Sequence, residues 1–169
     1  MRTSGMTVET TMTIEVTVQD GRESNDDEVP PSADFTRWAN LAAESASDAQ
    51  MTIRIVDAEE SRQLNHQYRG KNQPTNVLSF SYHDDEILSA AGQQRSLGDL
   101  VICADVVRQE AAERHLPAAD HWAHLTIHGV LHLLGYDHET TQQAETMEAL
   151  ETRLLSSINI ANPYEIRSN

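Results

Sequence analysis

HGVLHLLGYDH, residues 128–138, sets three histidines at offsets 0, 4 and 10, with a glycine at offset 7. His128 and His132 stand one helical turn apart, close enough for both imidazoles to hold one ion. A third ligand six residues further along the same helix would point about 240° away. The helix must therefore stop and the chain must fold back. Gly135 is well placed for this, because glycine accepts the left-handed conformation that ends helices, and His138 can then return toward the ion. Helix, turn and loop together offer three ligands and leave positions open for water or substrate. A histidine pair alone is more often ordinary helix packing; the glycine and the third histidine turn the reading toward a metal site.

The surrounding segment, PAADHWAHLTIHGVLHLLG (117–135), carries His121, His124, His128 and His132. On a helix these fall within a sector of roughly 80°. The rest of the circumference is Trp122, Leu125, Ile127, Val130, Leu131, Leu133 and Leu134, and a helix apolar almost all round is buried. Four imidazoles in such a place need a polar pocket or polar partners. His124 is a candidate for binding substrate that fits a place behind the ligands slightly better, and His121 either orients substrate or lines the pocket. Asp137 either accepts the second ring proton of His138 or forms the turn after Tyr136. The spacing is that of HExxHxxGxxH zinc peptidases, yet Gly129 stands where their glutamate base would be. Gly129 thus leaves that side of the metal without the negative charge that a phosphodiester would otherwise meet.

The rest of the chain frames this helix. TMTIEVTVQD (11–20) alternates as a strand; GRESNDDEVPPS (21–32) is an exposed loop with an acidic run, and Ser32 is a possible cap for a helix over 33–46. Residues 51–57, 77–82 and 98–105 read as further strands, and 58–69, 106–115, 117–134 and 139–158 as helices. Residues 83–96 read as a loop with a possible short helical turn. The expectation is a single α+β domain over 1–169, with a small mixed sheet of about four strands packed with helices around the buried histidine helix. Residues 1–10 and 160–169 are expected as loose tails, and 21–31 as an acidic loop.

No apolar run is long enough to cross a bilayer, and the first dozen residues lack a secretory hydrophobic stretch. The single cysteine, Cys103, cannot form an internal disulfide, so a reduced, cytoplasmic setting is expected. The formal charge is −15, and Lys71 is the only lysine among 12 basic residues. That balance argues against non-specific phosphate binding. A nucleic-acid partner would have to be met at a local basic site or within a larger assembly.

HGVLHLLGYDH, together with YRGKNQPTNVLSF (68–80), LGDLVICADVV (97–107) and HWAHLTIHG (121–129), resembles the YbeY family of metal-dependent endoribonucleases. The resemblance covers about residues 51–155. It implies a zincin-like α+β fold with one zinc ion on His128, His132 and His138, and an essential arginine at Arg69. It also implies a role in maturing ribosomal RNA, especially the 3′ end of small-subunit (16S) RNA, and in ribosome quality control. The expected partners are single-stranded ribosomal RNA and the ribosome or small-subunit proteins, with no membrane and no DNA. Arg69 offers a planar, always-charged fork for phosphate oxygens. Lys71 either adds a point charge or is a solvated surface residue. Asn76 is a candidate substrate contact, although turn packing suits it and Ser79 better, and Asp99 reads as bracing a strand.

The leading expectation is cleavage of single-stranded RNA by metal-activated water, with the RNA 2′-hydroxyl as the alternative nucleophile. A zinc peptidase and a non-catalytic, zinc-braced ribosome-binding module are the rival readings. The first is weakened by the missing glutamate, the second by the three-ligand, open character of the site.

Overall fold

Along the strand AQMTIRIV, Met51, Ile53 and Ile55 alternate with Gln50, Thr52 and Arg54, and the three apolar side chains are buried. The period of two sends one set into the core and the other to the opposite face of a sheet. A computed structural model describes residues 13–23, 28–43, 48–81 and 95–165. Within them the elements run β1 (Ile14–Asp20), α1 (Ser32–Ala42), β2 (Ala49–Val56), α2 (Ala58–Arg69), β3 (Val77–Ser81) and β4 (Arg95–Cys103). Then follow α3 (Ala104–Glu113), α4 (Ala118–Leu133) and α5 (Thr141–Ser156).

The fold is α+β with a four-stranded mixed sheet of order β1-β2-β4-β3. β1, β2 and β4 are parallel and β3 runs antiparallel to β4. The parallel pair β1 and β2 is joined through α1, so one βαβ crossover is present within an otherwise α+β order. Phe35, Trp38, Ala39 and Ala42 of α1 recur at helical spacing and are all buried. Phe35 meets Trp38 and Trp122 edge-to-face, with centroids 5.6 and 5.7 Å apart.

Helix α4 is the centre of the molecule. It packs against α1, α3, α5, β3 and β4, and every residue from His121 to Ile127 is buried. This is the enclosure that its all-round apolar character demands. The second face of the sheet carries a smaller cluster of Val56, Leu78, Val101 and Cys103, against which Leu64 and Val106 pack.

Helix α2 uses its buried face differently. Its buried residues are Ser61 and Asn65. The Ser61 hydroxyl donates to the Thr75 carbonyl at 3.0 Å and accepts from the Thr75 amide at 2.9 Å. Asn65 Nδ2 donates to the Gln73 carbonyl at 2.8 Å. These bonds pin the 70–76 loop along the helix and satisfy the buried Ser61 hydroxyl and the Asn65 side-chain nitrogen.

Several boundaries differ from expectation. Ser32 is the first helical residue of α1, Pro31 holds the cap position, and no side chain caps it. β4 runs into α3 without an intervening turn, so that helix starts at Ala104 rather than 106. α5 starts at Thr141 behind a capping box of Thr140 and Gln143. The expected turn within 83–96 falls almost wholly outside the described residues, as do 1–10. Residues 160–165, expected as part of a loose tail, are fastened: Arg114 donates to the Pro163 carbonyl and Tyr164 to Glu151.

At Gly129, α4 packs directly against Leu100 of β4. A Cβ there would lie 2.7 Å from Leu100 Cδ2, and Leu100 is fully buried. Alanine would gain about 1 kcal/mol of helix propensity but would push into packed core at a cost of about 1–3 kcal/mol. Gly129→Ala is therefore expected to lower unfolding stability by up to about 2 kcal/mol in urea denaturation, and Gly129→Glu, which would recreate HExxH, to fold poorly. A stabilised Gly129→Ala protein would contradict this packing.

Candidate metal centre

His128 and His132 project from the last turns of α4 with ring centroids 4.7 Å apart. The helix then ends in a double turn of hydrogen bonds. Gly135 N donates to the His132 carbonyl and Tyr136 N to the Leu131 carbonyl, both at 3.0 Å. This is the Schellman arrangement, and it needs a left-handed residue at Gly135, where φ is 106°. The chain reverses, and Asp137 Oδ1 accepts the His138 amide at 2.8 Å, so Asp137 takes the turn-forming role. His138 comes back to within 4.9 Å of His132 and 5.8 Å of His128, centroid to centroid.

One ring nitrogen from each of His128, His132 and His138 lies within 4.8 Å of the others. Two of the three are half-buried and His138 is exposed. Burial, then the neighbouring His128 and His138, holds the His132 imidazole below its ordinary pKa. This favours the neutral form that a metal requires. Three imidazoles converging at the edge of a groove can hold a metal ion.

Beneath the triad lies a group that the sequence reading missed. Glu151 of α5 is fully buried, and its Oε2 meets His128 Nδ1. Its Oε1 meets the Tyr164 hydroxyl and, at 3.3 Å, His124 Nε2. Burial alone would raise this carboxyl's pKa. The hydrogen bonds to His124 and His128 outweigh burial and hold it at about 2. An ionised carboxylate only accepts, so the network assigns the His128 proton to Nδ1 and leaves Nε2 for the ion. A signal was present in the sequence. Met147, Glu151, Leu154 and Leu155 share the buried face of α5, and a glutamate in an apolar stripe needs a partner.

His124 belongs to this lower layer. It is 8% exposed, turned toward Glu151 and Tyr164, and does not line the groove; the substrate-contact expectation gives way to the place behind the ligands. Burial first, offset in part by Glu151, lowers its pKa. His121 is buried too, its Nε2 lying 2.8 Å from Glu110 Oε1. Glu110 also accepts from Asn76 Nδ2 at 3.1 Å, while Asn76 Oδ1 accepts the Val77 amide at 2.6 Å. The amide of Asn76 is thus committed to shaping the groove wall, so a direct substrate contact through it is not what the geometry offers.

The groove, of about 700 Å³, is lined by the triad together with Tyr68, Arg69, Ser79, Phe80 and Asp137. Arg69 is the last residue of α2, which stops at Gly70 in the left-handed conformation. No carboxylate among the described residues pairs with Arg69, in contrast to Arg54 and Arg62, which are bound to Glu60 and Glu59. Lys71 is exposed and does not line the groove. Ser79 Oγ reaches the Gly129 carbonyl at 3.4 Å. Asp99 lies on the other face of the sheet, beside Arg54 and Val101. The Cβ direction at Gly129 runs into Leu100, so packing, rather than the charge at the metal, accounts for the glycine.

A family profile described as Endoribonuclease YbeY matches residues 19–159. Endoribonuclease YbeY of Alkalilimnicola ehrlichii is 51% identical over 141 residues, 82% of this chain and 84% of that protein. The Halorhodospira halophila protein of the same name is 56% identical over 118 residues, 70% of this chain and 76% of its own length. Among solved structures, TM1509 from Thermotoga maritima shares the fold at a TM-score of 0.53 and 21% identity, covering 90% of this chain and 99% of that one. The histidine motif, the α+β frame and these relatives agree: the chain belongs to the endoribonuclease YbeY family.

Proposed function

We propose that this protein is a zinc-dependent, single-strand-specific endoribonuclease acting on ribosomal RNA, at the 3′ end of the small-subunit (16S) RNA and in ribosome quality control. The observation that carries the reading is the convergence of Arg69, free of any carboxylate partner among the described residues, with the three histidines on one groove. His128, His132 and His138 would hold the zinc ion. When bound, such an ion supplies Lewis acidity toward a phosphoryl oxygen and lowers the pKa of water toward neutrality.

The chain's own residues do the rest. Arg69 presents a bidentate cation to phosphate oxygens where charge develops. Tyr68 precedes it on the groove rim, 57% exposed, with its ring held edge-on by Phe80 at 5.1 Å. An aromatic face there offers a stacking partner to an unpaired base. Lys71 adds a second cation near the entry of the strand. Glu151 and His124 orient His128 from behind, and Asn76 holds the groove wall through Glu110.

A net charge of −15 opposes general binding to RNA. Delivery of the substrate by the ribosome, or by small-subunit proteins, fits that balance. No helix among the described residues is long and apolar enough to cross a membrane, in keeping with a proposed cytoplasmic setting. A peptidase is not favoured, because a glutamate at position 129 would start inside the core. A purely structural zinc site would be closed by a fourth ligand, whereas this triad faces a groove.

Small-subunit RNA precursors give a direct test. Arg69→Ala is expected to lower kcat by about 10²–10³-fold with zinc content unchanged, and His128→Ala to lose both zinc and cleavage. Full cleavage by metal-free protein would refute the reading. Glu151→Gln keeps the shape but loses the anionic acceptor, and zinc affinity in chelator competition should fall about 10–100-fold. With water as the nucleophile, a substrate carrying one 2′-deoxynucleotide at the scissile position should be cut near the all-RNA rate. Loss of that cut would assign the attack to the 2′-hydroxyl.

A further inference from the structure

We propose that Tyr164 is a positioning residue of the metal centre, its hydroxyl holding the Glu151 carboxylate that orients His128. The inference rests on the metal-binding reading of the triad and not on the identity of the RNA. After α5 ends, the chain turns back along it as a short strap. Asn162 Oδ1 accepts the Tyr164 amide at 2.8 Å and the Thr152 hydroxyl at 3.3 Å. Arg114, at the end of α3, donates to the Pro163 carbonyl. The strap is therefore tied to α5 and to α3 on either side of the histidine helix.

Tyr164 is 40% exposed as a residue, yet its hydroxyl reaches a carboxylate that solvent does not touch. Its ring stands edge-on to His124, with centroids 5.5 Å apart at 86°. Glu151 Oε2 is engaged by His128 Nδ1. Oε1 has two partners, the Tyr164 hydroxyl and His124 Nε2, the latter at 3.3 Å. Removing the hydroxyl leaves Oε1 with only that longer contact among its protein partners. A buried carboxylate so depleted reorients or draws on its remaining donors, and the His128 ring turns with it. Tyr164 also lies past residue 159, where the family match ends, so this support comes from a segment outside the matched region.

The test uses the full chain, zinc and cobalt(II). Tyr164→Phe retains the ring and removes only the hydroxyl. Its zinc affinity, measured by competition with a chromophoric chelator, is expected to fall about tenfold, and the visible absorption bands of the cobalt(II)-loaded protein to shift. Asn162→Ala loosens the strap but keeps the hydroxyl, and a smaller weakening in the same direction is expected. A purely structural role would lower stability without moving the cobalt bands. Folded Tyr164→Phe with wild-type zinc affinity and an unshifted cobalt spectrum would overturn the proposal while leaving the triad intact. Wild-type protein that binds no zinc would overturn the metal-centre reading and this proposal together.

Discussion

Helix α4 is enclosed by helices on three sides and by the sheet, so each of its imidazoles must find a polar partner or an exit to solvent. Two solutions appear along its length. Near its start, His121 is bound to Glu110 of α3. Further on, His124 and His128 share Glu151 of α5. Toward the helix end the stripe emerges, and His128, His132 and the returning His138 reach the groove. The carboxylates from the flanking helices thus decide which histidines are structural and which nitrogens remain for an ion.

The same enclosure explains two positions whose roles are easily mistaken. Gly129 lies where a peptidase would have its base, and the immediate reason for a glycine is the approach of α4 to Leu100 on β4. Fold packing and reaction class therefore meet at one residue, because a helix this close to a strand has no room for a side chain on that face. Asn76 illustrates the reverse. It lines the groove, yet its amide is spent between Glu110 and its own loop. Arg69 escapes such commitments by standing at the end of α2, beyond the Ser61 and Asn65 bonds that secure the neighbouring loop.

Much of the fold was legible in advance. Strict alternation in β2 and the all-round apolar character of α4 are local signals with one structural solution each. α2 spans 58–69 as expected from its helix-like sequence, and in the structure Asp57 caps it and Gly70 stops it. The start of α1 and the direct passage from β4 into α3 were less legible: Pro31 stands in the cap position without a capping side chain, and no turn residue marks the second boundary. At the site, the histidine triad was carried by one continuous motif. Glu151 and Tyr164 lie 23 and 36 residues beyond His128, on a helix and a strap whose docking no short-range pattern encodes.

By itself the sequence determined that three histidines, a helix end and a glycine turn form one unit able to hold a metal ion, because spacing and backbone conformation are local properties. The sheet order, the joining of Arg69 to that unit across one groove, and the burial of Glu151 beneath His128 were decided only by tertiary structure. Those relations link residues from α2, α4 and α5. They exist because burying the apolar circumference of α4 brings the surrounding helices and their polar side chains against it.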